Sequence, residues 1–158
     1  MLDEENTMRL FTLHNLVLLP AVALMMTAAT ATAGDLSTGT LTVHVSGFEN
    51  AKGHAIINLF CEGQDVMQMD SACHRTKSVI ENVQANFTFA KLPFGTYAIS
   101  VFHDVNDNGK LDHKMGIPSE ALGFSNGFHL SVFSGFPNFG KLKFVFLEEG
   151  KVIDIRLR

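Results

Sequence analysis

Beyond residue 40 the chain alternates apolar and polar residues with a period of two, and a period near 3.6 is almost absent, so the pattern predicts half-buried strands rather than helices. In Thr40 to Ser46, Leu41, Val43 and Val45 fall on one face while Thr42, His44 and Ser46 fall on the other. Ala55 to Phe60 sets Ile57 and Leu59 on one face with Asn58 opposite, and the intervening GFENAKG (Gly47 to Gly53) has the composition of a hairpin turn. Ala85, Phe87 and Phe89 alternate with Asn86 and Thr88. Lys91 to Gly95 then predicts a turn in which Pro93 sets φ and Gly95 accepts a positive one, and Tyr97, Ile99 and Val101 follow on a single face. Near the C-terminus Leu142, Phe144 and Phe146 alternate with Lys141, Lys143 and Val145. Ile153, Ile155 and Leu157 alternate with Asp154 and Arg156, with Glu148 to Lys151 as a linking hairpin turn. The expected fold class is all-β, an immunoglobulin-like or transthyretin-like β-sandwich of about seven strands, without repeats or linkers.

The first 33 residues break this pattern. Leu16 to Met26 (LVLLPAVALMM) is apolar, too short to span a bilayer, preceded by Arg9 and followed by small residues ending in Ala31-Thr32-Ala33. That order predicts a signal peptide over 1–33, cleaved before Gly34, and a single β-sandwich domain over 34–158. The acidic start MLDEENT is unusual for such a leader, which leaves Met8 as an alternative initiator. The expected location is therefore outside the cytoplasm, periplasmic or secreted, with no transmembrane segment after cleavage.

Composition narrows the partners. The 158 residues are 46% hydrophobic and 18% charged, with a net charge of −4 that becomes −2 once the leader is removed. The lysines are scattered singly, so no basic stripe exists to meet a phosphate backbone, and nucleic acid is excluded as a partner. Sugar binding is disfavoured too, because the chain has no Trp and one Tyr to serve as stacking platforms. Cys61 and Cys73 are the two cysteines, and an even count in an exported chain predicts one disulfide pinning the polar connection from Cys61 to Thr76.

One stretch carries chemistry. In His103 to Asp112 (HDVNDNGKLD), Asp104, Asn106 and Asn108 stand at the first, third and fifth positions of a calcium loop, Gly109 at the sixth, the Lys110 carbonyl at the seventh and Asp112 at the ninth. Position twelve is Met115, so the closing bidentate Glu of an EF-hand is missing; Glu120, brought back by the bend at Pro118, is a candidate substitute. The same residues also read as a metal-free polar turn with positive φ at Asn108-Gly109. Any calcium site would be weak, because Asn replaces Asp at two ligand positions.

Other candidates are thinner. His103 shares the parity of Tyr97, Ile99 and Val101 and reads as a packed residue; with His113 and His129 it lacks the spacing of a transition-metal site. Gly123 to Gly127 (GFSNG) matches GxSxG, but that motif needs a strand, turn and helix in an α/β sheet and a following acid and His in order. Phe124, Phe128, Phe133, Phe136 and Phe139 crowd one segment, either to plug an end of the sandwich or to form a docking patch.

From about Leu41 to Arg158 the chain resembles the DUF2141 family of uncharacterised exported proteins. The strings LTVHVSGFENAKGHAIINLF, LPFGTYAISVFHDVNDNGKLD, MGIPSEALGFSN, FPNF and IDIRL carry the likeness. The resemblance implies an exported β-sandwich with no established activity, and it suggests that the acidic loop and the GIP–GFSN segment lie together. The cysteine pair is not part of that pattern. Two functional readings follow. The first is a non-enzymatic sandwich holding Ca²⁺ through Asp104, Asn106, Asn108, Lys110 and Asp112. The second is a metal-independent module that docks an envelope protein or ligand through segment 124–139. A hydrolase built on His103 and Asp104 lacks a nucleophile.

Overall fold

A computed structural model describes residues 37–131 and 133–158; the expected leader, 1–33, lies outside the described residues. The described chain is nearly all β. Its strands are β1 (Thr38–Ser46), β2 (His54–Cys61), β3 (His74–Ser78), β4 (Gln84–Pro93), β5 (Gly95–Asp104), β6 (His113–Lys114), β7 (Ile117–Pro118), β8 (Leu122–Phe124), β9 (Phe144–Phe146) and β10 (Lys151–Arg156). The helical pieces are single turns at Met69–Ser71 and Ser125–Gly127 and the short α1 (Phe139–Leu142).

Two sheets face each other. The first has the order β10-β1-β4, with β10 parallel to β1, and the second runs β3-β2-β5-β8 with β9 also paired to β5. β6 and β7 form a separate two-stranded ladder. The predicted alternation supplies the seam between the sheets. Leu41, Val43 and Val45 of β1, Ala85 and Phe87 of β4 and Ile155 of β10 pack against Ala55, Ile57 and Leu59 of β2 and Tyr97, Ile99 and Val101 of β5. Each Val, Leu, Ile or Phe side chain among them contributes on the order of 1.5–3 kcal/mol on removal from water.

β2 and β5 are buried on both faces, as their apolar content on both parities requires. Their outer faces meet a second, smaller cluster of Phe60, Val66, Ala98, Phe124 and Leu142, assembled by loops and α1 instead of a third sheet. Asn138 caps α1 by accepting the Lys141 N–H at 3.0 Å. The expected disulfide is present: Cys61 and Cys73, 5.8 Å apart at Cα, join the end of β2 to the residue before β3. The Gln64 side chain braces it, its Oε1 accepting the N–H of Cys61 at 2.7 Å and of Cys73 at 3.1 Å.

Two predicted hairpins and one predicted turn are corrected. Gly47 to Gly53 carries the chain from the first sheet to the second, because β1 pairs with β4 and β10 while β2 pairs with β3 and β5. Lys91 to Gly95 is likewise a crossing, and the positive φ of 54° falls on Lys91, not Gly95. Glu148 to Lys151 also changes sheets, leaving β9 on β5 and β10 on β1. Turn composition reports where the chain bends; which strand it then pairs with is decided by packing across the seam. β3 went unpredicted because HRTKS has no apolar alternation, and Leu142 ends α1 instead of beginning a strand.

Candidate functional site

β5 delivers the acidic loop. His103, the penultimate residue of that strand, is buried, with Nε2 2.8 Å from the Lys52 carbonyl and its ring edge-on to Phe48 at 5.2 Å. It is a packed core histidine, as its parity indicates. Asp104, 1% exposed, closes the strand, and its two carboxylate oxygens accept the backbone N–H groups of Asn108 at 3.1 Å and Gly109 at 2.8 Å. Gly53 must be glycine beside it: its φ is +66°, and a Cβ there would sit 1.9 Å from the Asp104 carbonyl oxygen.

The rest of the loop winds around these anchors. Asn106 Oδ1 accepts the Asn108 N–H at 3.1 Å, and Asn108 Oδ1 accepts the Lys110 N–H at 2.7 Å. The amide groups of Asn106 and Asn108 both donate to Asp112, at 2.8 and 2.9 Å, one to each carboxylate oxygen. Glu120 straddles the two ends of the loop, Oε1 accepting the Val105 N–H and Oε2 the Asp112 N–H, each at 3.0 Å. Positive φ occurs at Asp107 (60°) and Gly109 (73°), so the turn expected at Asn108-Gly109 is displaced by one residue at its start. His54 Nδ1 contacts Asp107 Oδ1.

The loop that follows is tied to this one, as the family resemblance suggests. Ser119 donates its N–H to the Asp112 carbonyl at 2.8 Å, and β6 and β7 form the ladder between them. Arg75, on the otherwise exposed β3, reaches across to donate to the Gly109 carbonyl while its other terminal nitrogen pairs with Asp70 at 3.2 Å. Sequence reasoning had no means of finding Arg75, because its role depends on β3 lying beside β2.

The remaining candidates separate. Among the described residues no three His, Cys, Asp or Glu side chains gather at metal-binding distance, so His103, His113 and His129 do not form a site. Ser125 of the GxSxG string is buried: its hydroxyl accepts the Ile99 N–H at 2.8 Å and donates to the Leu142 carbonyl at 2.6 Å, tying β5 to α1. The five phenylalanines divide. Phe124 is buried, and Phe128 and Phe139 pack against its cluster, while Phe136 is 77% exposed and Phe133 almost wholly so.

Elsewhere, burial pushes the Tyr97 phenol above its ordinary pKa, and its hydroxyl donates to the Pro93 carbonyl at 2.7 Å. No described helix is long and apolar enough to cross a membrane.

These features define a two-sheet β-sandwich whose second sheet feeds a self-bonded acidic loop. The family model described as an uncharacterized protein conserved in bacteria (DUF2141) matches residues 43–154, and the chain belongs to that family. No curated protein and no solved structure matches it.

Proposed function

We propose that this is an exported, non-enzymatic β-sandwich whose loop 104–112 holds a calcium ion weakly, as a structural brace. The carrying observation is Glu120, whose carboxylate is held over the loop by the N–H groups of Val105 and Asp112; Asp104, Asp112 and Glu120 do not converge at metal-binding distance, so calcium would have to draw them together. Glu120 stands in for the carboxylate absent at position twelve. Asp104, Asn106, Asn108, the Lys110 carbonyl and Asp112 are the other candidate ligands. Because the Asn106 and Asn108 amides already bond Asp112, calcium would have to displace these contacts, which favours weak affinity. The apolar N-terminal run and the disulfide support export, in the periplasm or beyond it.

A ligand bound only by the native state raises the unfolding midpoint. The mature chain is therefore melted in millimolar calcium and in chelator, beside Glu120→Gln. The expected result is a midpoint that rises with calcium in the parent and less in the variant; identical curves in calcium and chelator sink the reading. The exposure of Phe133 and Phe136 favours a second reading, a metal-independent docking module of the cell envelope.

A further inference from the structure

A cleft of about 590 Å³ opens beside the acidic loop, within the range of about 300–1,000 Å³ in which small-molecule sites fall. Its floor belongs to the outer face of the second sheet. Cross-strand register places Arg75, Asn58, Ser100 and Phe124 in one row across β3, β2, β5 and β8, and Val66, Leu122 and Phe124 line the cleft. Val66 and Phe124 are part of the buried outer cluster, so the floor is fixed by packing.

The walls are of a different kind. Met67, Met69, Leu130 and Phe136 rise from two irregular segments, one on the disulfide loop and one in the Phe-rich stretch. Met67 is 53% and Phe136 77% exposed, apolar surface that the fold itself leaves uncovered. Flexible thioethers and an aromatic edge suit an apolar ligand without a fixed outline. At the side nearest the acidic loop the lining turns polar, with Arg75, Asp70, Lys110 and His113. Arg75 and Asp70 neutralise each other, and Lys110 has no acidic partner among the described residues. The cleft is therefore an apolar trough with a free cation at one end.

We propose that this cleft binds a single-chain amphipathic anion, an acyl chain carrying a carboxylate, with its tail against Val66, Phe124 and Phe136 and its head at Lys110. A sugar would find no Trp or Tyr platform in the lining to stack on. On the β8 side an extended peptide would find the sheet edge already bonded to the C-terminus through Leu122 and Arg158. The inference goes beyond the calcium reading and does not depend on it.

The test uses the mature protein with a dansyl-labelled undecanoic acid, whose fluorescence is well reported in a chain without tryptophan. Displacement is followed with dodecanoate below its micelle concentration and with dodecan-1-ol, in calcium and in chelator. Saturable binding is expected, with dodecanoate displacing better than the alcohol. Phe136→Ser is expected to weaken both competitors about tenfold. Lys110→Ala is expected to weaken dodecanoate alone, about threefold. Both side chains are exposed, so unchanged melting curves certify folded variants. Absence of saturable binding, or displacement curves that neither variant moves, overturns the proposal. Equal potency of alcohol and acid overturns the anionic head. Sedimentation with phosphatidylglycerol vesicles distinguishes a lipid headgroup from a free acid; vesicle binding without dodecanoate binding overturns the cleft in favour of a membrane surface. The calcium reading fails on melting midpoints and this one on displacement, so the two failures are distinguishable.

Discussion

The two faces of the second sheet are built differently. The inner face meets another sheet along β1, β4 and β10, and its buried residues are apolar but for His103 at the margin. The outer face of the same strands is covered by loops, among them the one closed by the disulfide, and by a four-residue helix, and it buries a polar pair, Asn58 and Ser100, linked at 3.3 Å. Asn58 Oδ1 has no partner there. Regular elements bring their backbone hydrogen bonds with them and close a face completely. Loops must satisfy theirs piecemeal, through Gln64, Asp65, Ser125 and Asn138, and they leave gaps such as the cleft. The inner face holds the fold, and the outer face is where a ligand can be accommodated.

If that contrast is right, stability losses are graded by face. Leu59→Ala, fully buried in the inner seam, is expected to cost about 2–5 kcal/mol in urea unfolding, because the two sheets cannot collapse into the void. A loss under about 1 kcal/mol would mean the seam is as yielding as the loops.

Replacing Cys61 and Cys73 by Ser opens a short loop on the outer side and is expected to cost roughly 3 kcal/mol. Its signature is local: protease cleavage should concentrate between Glu62 and Ala72 while β1, β4 and β10 stay protected. Uniform digestion would show that the outer cover and the inner seam unfold together.

The polar pair gives a smaller and sharper contrast. Ser100→Ala alone leaves Asn58 without its one partner and is expected to cost about 1–3 kcal/mol, whereas Asn58→Leu with Ser100→Ala removes both polar groups and is expected to be neutral or stabilising. A double variant worse than the single one would show that the pair is required by the packing around it.

Tyr97 tests the inner margin through pH. Its phenol is raised above the ordinary value by desolvation, so the neutral form is favoured in the folded state. Stability from this source is full below about pH 10, the unfolded phenol's pKa, and falls as pH rises through the folded one. Tyr97→Phe should flatten that alkaline loss, and identical alkaline profiles would rule the phenol out. At the bottom of the scale, Phe133→Ser, on a side chain almost entirely in water, should change stability by less than about 0.5 kcal/mol.

Much of the first face was legible in the string. Leu41, Val43 and Val45, and Tyr97, Ile99 and Val101, fall on the seam because a period of two leaves only one way to bury them. The disulfide followed from the cysteine count, and the packed role of His103 from its parity. The acidic loop was recognisable because its bonds are local: Asp104, Asn106 and Asn108 accept backbone N–H groups two to five residues on, and Asp112 takes the Asn106 and Asn108 amides six and four residues back. Glu120, whose bonds reach back 8 and 15 residues, was within reach because the bend at Pro118 returns the chain to the loop.

What alternation could not convey was pairing between sheets. The three crossings at Gly47–Gly53, Lys91–Gly95 and Glu148–Lys151 carry the same turn chemistry as hairpins, and β3 has no apolar face to announce it. Nor could it reveal Arg75 beside Gly109, or a cleft whose walls come from segments more than 60 residues apart, Met67 and Leu130. The sequence by itself determined the all-β class, the inner apolar faces, the disulfide and the wound acidic loop, because these rest on periodicity, composition and short-range hydrogen bonds. Only the tertiary structure decided which strands share a sheet, what covers the outer face and where an apolar trough remains, because those depend on long-range packing that no local pattern encodes.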